Sequence, residues 1–279
     1  SAATCAEIDG KLCDLRTTIT SDCTLNFLTF DDEEGKKPFR HTAAHILAQA
    51  VLRLYPNAKL ATGPAVDNGF FYDFDVDTPF TAEDLEKIET EMKKIVKENL
   101  PVERFYLSAG EAKKLMEERG QDYKVELIDE HASKGEELSF YKQGEFIDLC
   151  AGPHIMDTGR IKAIKLTQCT GAYWRADASN KMLQRVYGVA FPKASQLQAY
   201  LDMMEEAKKR DHRKLGKELD LFDIYEEGPG FPFFLPKGMA LRQELESFWR
   251  EIHRRYGYEE IRTPIMLDES LWHTSGHWD

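Results

Sequence analysis

The chain has 279 residues, with 37 Lys and Arg against 49 Asp and Glu, giving a formal net charge of −12. That length leaves room for about two domains with ordinary cores. The acidic balance excludes a protein that holds nucleic acid by bulk attraction, so any RNA contact must use local basic patches. Cysteines at 5, 13, 23, 150 and 169 are odd in number and include no C-x-x-C pair, which fits reduced thiols better than a disulfide framework. No opening segment pairs a basic start with an apolar run, and no stretch approaches the roughly 20 apolar residues that span a bilayer. A soluble, cytoplasmic protein is expected.

In chain order, residues 1–30 hold two short alternating runs, Lys11–Leu15 and Leu25–Phe30, with turn formers Asp9-Gly10 and Ser21-Asp22 beside them. They read as strands of a small β-rich module. Ser1-Ala2-Ala3 at the start, and His277-Trp278-Asp279 with neither a helix cap nor a polar tail, read as cut ends. Asp31–Lys37 is charged and reads as a linker or exposed turn. His41–Tyr55 reads as a largely buried helix stopped by Pro56-Asn57, and Gly63–Asp75 as a turn and strand with Asn68-Gly69 as hairpin signal and an aromatic cluster as core filling. Thr81 and Asp84 resemble a capping box opening an amphipathic helix whose apolar face is Leu85, Ile88, Met92, Ile95 and Val96. Asn99-Leu100-Pro101 ends it.

From Val102 the pattern is strand (Val102–Leu107), helix (Ala109–Arg119, opened by the capping box Ser108 and Glu111) and strand (Tyr123–Ile128). Two strands around a helix, next to another amphipathic helix, indicate an α+β sandwich. Lys124 lies in the last strand and, by spacing alone, reads as a solvated edge lysine. A hairpin follows, Leu138–Tyr141 and Phe146–Cys150, and then strands at Ile161–Cys169 and Lys181–Phe191. Pro192 marks a boundary. Residues 195–218 read as one long charged helix, whose 208–217 window holds six Lys or Arg against one Asp. That window, with Lys208, Lys209, Arg210, Arg213 and Lys214, is either a solvated face or a contact to phosphates. Residues 228–238 read as a Pro/Gly-punctuated strand, followed by a helix through Leu241, Leu245, Phe248, Trp249 and Ile252 and a strand at Glu260–Met266 broken by Pro264.

Two stretches carry chemistry. Asp148 and Cys150 sit two apart at the end of an apolar run, so on a strand both side chains point to one face. Gly152-Pro153 cannot continue that strand, which lets His154 swing back beside Cys150. His41 and His45 are four apart on the buried helix and stack on one side of it. Where helix and strand end meet, these groups can move protons, hold a ligand or bind a metal. Each half alone also reads as hydrogen-bonded core histidines or a small buried cysteine.

The strings Gly63-Pro64…Asn68-Gly69-Phe70-Phe71-Tyr72 and Tyr173-Trp174-Arg175…Asn180-Lys181-Met182-Leu183-Gln184-Arg185-Val186-Tyr187-Gly188, with H-x-x-x-H and Asp-x-Cys-x-x-x-His, resemble threonyl-tRNA synthetases of the bacterial type. The resemblance runs over nearly the whole chain. It implies the end of a β-grasp (TGS) domain at 1–30, an editing domain at 38–192, a linker helix at 193–220, and the start of the class II antiparallel-sheet catalytic domain at 221–279. In that last region, Gly257–Pro264 resembles the first class II motif. The chain stops before the second and third motifs, so it is not expected to make threonyl-tRNA. ATP, Mg and Zn are implied only for a full-length synthetase. tRNA(Thr) is the implied partner, with a homodimer for the full-length enzyme and no membrane.

The resemblance also implies a task. Serine is threonine minus one methyl, and a lost methyl is worth only about 1–3 kcal/mol in a pocket, so a second, hydrolytic site must supply the rest. Asp148 suits the substrate ammonium. His41, His45 and His154 can orient water and ribose hydroxyls. Lys124 matches the family's editing lysine, and Cys150 reads as a wall and weak hydrogen-bond partner. No cofactor is expected for editing. His41, His45, Cys150 and His154 are nevertheless a complete tetrahedral zinc set, as in the similar editing domains of alanyl-tRNA synthetase. Two alternatives stand beside editing: a zinc hydrolase of a small ester or amide, and a non-catalytic fragment for tRNA binding or dimerisation. Against the zinc hydrolase, H-x-x-x-H lacks the glutamate of H-E-x-x-H.

Overall fold

A computed structural model describes residues 3–278. Helices and antiparallel sheets mix along the chain, as in an α+β protein, in two compact units, Ser1–Asp202 and Met203–Asp279.

The first unit opens with β1 (Ala3–Ile8), the middle strand of a sheet with β2 (Lys11–Cys13) and β3 (Leu25–Thr29) on either side. The sequence reading found the two outer strands and missed the central one. Residues Ala3 to Ala6 are all buried, so the strand lacks the alternation that marks a half-exposed one. Asp9 and Gly10 both take positive φ, as the two-residue turn between β1 and β2 requires.

Next comes α1 (Glu33–Leu54). The charged stretch expected to be a linker is mostly its first turns, where Glu33 and Glu34 complement the helix dipole. A Cβ on Gly35 would stand 1.8 Å from the Thr29 carbonyl oxygen, so glycine lets the helix lie against the chain leaving β3. From Thr42 to Val51 every residue is buried, which marks a helix covered on all sides.

What covers it is a five-stranded antiparallel sheet and a second helix. Short strands β4 (Lys59–Leu60) and β5 (Ala65–Val66) both pair with β6 (Gly69–Asp75), and α2 (Ala82–Glu98) packs beside α1. Thr81 and Asp84 form both halves of the capping box, and Asn99 ends α2 in the left-handed region. A smaller subdomain follows: β7 (Glu103–Tyr106), α3 (Ala109–Glu118), α4 (Asp122–Ser133), β8 (Ser139–Gln143) and β9 (Phe146–Leu149). β7, β8 and β9 form their own sheet, in which Tyr141 faces Asp148 across the ladder. β10 (Ala163–Tyr173) and β11 (Met182–Phe191) then complete the five-stranded sheet beside β6.

The expected strand Tyr123–Ile128 is helix α4. Tyr123, Val125 and Leu127 alternate with polar residues and mimic a strand, but Lys124 and Ile128, four apart, are the buried pair. Six residues are too few to separate a period of 2 from one of 3.6.

The long helix expected over 195–218 is two, α5 (Ala194–Lys209) and α6 (His212–Glu218). Asp211 breaks the run and caps α6, its carboxylate accepting from the Arg213 N–H at 2.9 Å. The second unit continues with β12 (Phe222–Asp223), β13 (Phe233–Phe234), α7 (Pro236–Arg255) and α8 (Ser270–Ser275). The strand expected over 228–238 shrinks to β13, and the one over Glu260–Met266 does not form. No strand among the described residues lies beside 260–266 to accept its backbone bonds, and Pro264 interrupts its own donors. No helix among the described residues is long and apolar enough to cross a membrane.

Candidate functional site

Helix α1, the end of β9 with the segment after it, and helix α4 bring His41, His45, Lys124, Asp148, Cys150 and His154 together. His41 and His45, one turn apart, have ring centroids 5.2 Å apart. β9 carries Asp148 inward, and the chain then turns at Gly152, whose φ is +70°. A Cβ there would meet the Tyr141 Oη at 2.0 Å, so only glycine fits. The turn returns His154 against the helix, its centroid 4.2 Å from that of His41 and 4.1 Å from that of His45. Cys150 Sγ lies 3.3 Å from His41 Nε2 and 3.2 Å from His154 Nε2, and accepts the Gly152 N–H at 3.3 Å.

Asp148 is the second focus. Lys124 Nζ sits 2.7 Å from Asp148 Oδ1, off the angle of a good hydrogen bond, and Tyr72 donates its hydroxyl to Oδ2 at 2.5 Å. His45 Nε2 stands farther off, 3.6 Å from Oδ2. Lys124 comes from the first turn of α4, where a cation opposes the helix dipole, so helix stability does not explain it. The helix is held in place from the large sheet: Tyr123 donates to Asp75 at 2.9 Å, Trp174 Nε1 donates to Glu126 at 3.1 Å, and Arg175 pairs with Glu126 and Glu130.

The return segment is also braced from the N-terminal sheet. Asp14, just past β2, accepts the Tyr141 hydroxyl at 2.6 Å and the His154 backbone N–H at 2.7 Å. Sequence reasoning missed Tyr72, Tyr141, Thr42 and Asp14. Tyr72 had a signal: a tyrosine between Phe70 and Phe74 on a buried face needs a partner for its hydroxyl. Asp14 had none, because its partners lie more than 120 residues away.

Burial sets the charge states. It holds His45 and His154 neutral, well below the usual imidazole range, with the neighbouring rings adding to the effect. His41 is pushed down to about 4 by burial and then by the Lys124 cation, against the opposing pull of the Pro153 carbonyl. The Cys150 thiol is pushed up to about 12, chiefly by burial and then by Asp148. At neutral pH the cluster is therefore three neutral imidazoles and a protonated thiol beside the Lys124–Asp148 pair.

A cavity of about 440 Å³ opens onto His41, His45, Lys124, Asp148 and Cys150, with Gly63 and Glu136 on its walls. A larger cleft, about 1340 Å³, lies on the far side of His154, against Asp14, Arg16 and Arg104. It is roomier but touches only one of the clustered groups, so the smaller cavity is the candidate site. The ligand atoms of His41, His45, Cys150 and His154 lie within 4.8 Å of one another, and His45 Nδ1 is buried without a partner. This donor set fits a zinc ion, which would be held by those four residues.

The five expected phosphate contacts are placed apart from this cluster in sequence. Lys208 and Lys209 end α5, Arg210 follows, and Arg213 and Lys214 lie on α6. All are exposed, and four already pair locally: Lys209 with Glu206 at 2.9 Å, Arg210 with Glu206 at 3.8 Å, Arg213 with Asp211 at 2.8 Å and Lys214 with Glu218 at 3.8 Å. Such exposed pairs are weak and exchange readily.

Residues 138–187, which carry Asp148, Cys150 and His154, match the family described as the threonyl and alanyl tRNA synthetase second additional domain. Three of the six clustered residues thus lie in a segment similar to a domain of aminoacyl-tRNA synthetases. Over almost its whole length the chain is homologous to threonine–tRNA ligases. It is 65% identical over 277 residues to that of Acetivibrio thermocellus, covering 99% of this chain and 44% of the relative. The Clostridium tetani protein is 66% identical over 274 residues, covering 98% of this chain and 43% of the relative. That of Clostridium botulinum strain Loch Maree is 64% identical over 277 residues, covering 99% and 44%. The chain spans less than half the length of these relatives.

Proposed function

We propose that the cavity beside His41 and Asp148 hydrolyses the ester of mischarged seryl-tRNA(Thr) by means of oriented water. The observation that carries this reading is the buried Lys124–Asp148 pair set against the neutral imidazoles of His41 and His45 on one cavity wall, with His154 packed behind them. A neutral imidazole accepts a proton from water without first losing one. The Lys124 ammonium polarises the ester or pairs with the adjacent phosphate. Asp148, although engaged by Lys124 and Tyr72, keeps a free lone pair on its oxygens for the substrate ammonium. Cys150, held as a thiol, is a wall and not a nucleophile, since the thiolate is the attacking form.

In this reading residues 1–30 are the end of a β-grasp domain, 38–192 the editing domain, 193–220 a linker helix, and 221–279 the start of a class II catalytic domain. The intact protein attaches threonine to tRNA(Thr) with ATP as a cytoplasmic homodimer. Lys208, Lys209, Arg210, Arg213 and Lys214 contact the tRNA backbone. The test is deacylation by Lys124→Met and His41→Ala, each expected to lose most of the rate. Full activity in both would sink the assignment.

A second reading is favoured by the four convergent donors: a zinc-dependent hydrolase of the kind suited to alanyl-tRNA editing. When bound, zinc would supply a water acidic enough to ionise near neutral pH. Deacylation that survives a chelator wash supports the first reading, and loss restored by zinc supports the second.

A further inference from the structure

We propose that Thr42 is a positioning residue that fixes His154 in its Nδ1–H tautomer, so that the bare Nε2 always faces Cys150. Thr42 is fully buried on α1, one position past His41. Its Oγ1 lies 2.8 Å from the Pro38 carbonyl oxygen, 3.0 Å from His154 Nδ1 and 3.1 Å from the Ile155 backbone nitrogen. A hydroxyl has one proton to give and two sites to accept. The Ile155 N–H can only donate, and the Pro38 carbonyl can only accept. Were the hydroxyl proton turned to His154, two oxygen lone pairs would face each other at 2.8 Å. The proton therefore points to Pro38, and the remaining acceptor site takes a hydrogen from His154 Nδ1.

With the ring hydrogen on Nδ1, its Nε2, 3.2 Å from Cys150 Sγ, is the nitrogen left to accept from the thiol. His41 presents its own Nε2 to the same sulfur at 3.3 Å, while its ring also engages the Pro153 carbonyl. The thiol has one proton to share between these two nitrogens. When the thiol proton goes to His154 Nε2, His41, which lines the cavity, keeps a free acceptor for a proton from attacking water. This role in hydrolysis rests on the editing reading; the tautomer itself does not.

The test uses the full 279-residue chain with ¹⁵N-labelled histidine at neutral pH, His154 being assigned by loss of its signal in His154→Gln. The wild type and Thr42→Ser, which keeps the hydroxyl, should both show His154 with a protonated Nδ1 and a bare Nε2. Thr42→Val, of the same shape without the hydroxyl, should show a mixed or reversed tautomer. Its kcat for seryl-tRNA(Thr) should fall about 10–100-fold, the usual effect of removing such a partner, with KM unchanged and with serine restoring the rate. A purely structural role would not move the nitrogen signals. A bare Nδ1 in the wild type, an unchanged tautomer in Thr42→Val, or a changed tautomer with undiminished kcat would each overturn the proposal. If the wild type shows the Nδ1–H form but hydrolyses nothing, the tautomer assignment stands and the editing reading fails.

Discussion

Lys124 and Asp148, 24 residues apart in sequence, are joined at 2.7 Å in a space where they are 3% and 2% exposed. Removing one member of such a pair strands the other's charge in the interior, at a cost of about 3–5 kcal/mol. Lys124→Met should therefore lower stability by roughly that much. The double variant Lys124→Met/Asp148→Asn, which leaves no charge behind, should lose clearly less than the sum of the two single changes. Urea unfolding of the four proteins measures this, and strict additivity would show that the two groups do not depend on each other.

The buried rings set a pH dependence of stability. The folded protein holds His41 at about 4, and His45 and His154 well below an ordinary value of 6.5. Because the folded values are depressed, the unfolded chain takes up these protons first. The contribution is complete above pH 6.5 and is lost as pH falls through 6.5 towards 4, at up to about 1.4 kcal/mol per pH unit for each ring. Between about pH 6.5 and 5 most carboxylates are still ionised, so a steep fall in the urea midpoint there reports the histidines. His41→Gln should make that fall shallower by about one proton, and an unchanged slope would contradict it.

Gly152 is fixed by both its backbone and its neighbour. With φ at +70° and the Tyr141 Oη 2.0 Å from any Cβ, Gly152→Ala must move the segment that carries Cys150 and His154. The strained backbone alone costs about 1 kcal/mol or more. Deacylation should be lost even where the variant stays folded. Gly110→Ala is the control: its Cβ meets nothing within 4 Å in the first turn of α3, and it should be neutral or stabilising by a few tenths of a kcal/mol.

The basic residues after α5 give a salt signature. Replacing Lys208, Lys209 and Arg210 by glutamine should weaken tRNA binding and flatten the dependence of log K on log salt by about 0.7–0.9 for each phosphate no longer neutralised. Filter binding at several salt concentrations measures the slope. Weaker binding with an unchanged slope would place the phosphate-binding residues elsewhere.

Much of this site was legible because local spacing carried it. Four residues on a helix paired His41 with His45, and a strand end followed by Gly152-Pro153 returned His154 to Cys150. Both capping boxes, at Thr81 and at Ser108, formed as their sequences required. What spacing could not carry was Lys124, since its short window has both periodicities and only tertiary burial decides between them. Asp14 and Thr42 were beyond reach for a different reason. Their importance lies in which atom each hydrogen bond engages, and such pairing is settled by the fold.

The most direct measurement is the hydrolysis of seryl-tRNA(Thr) against threonyl-tRNA(Thr) by the full chain, with His41→Ala run beside it. Fast loss of the seryl ester, slow loss of the threonyl ester and no loss with the variant are the expected result. Equal loss of both esters, or serine-selective loss that persists in His41→Ala, would contradict an editing role for this cluster.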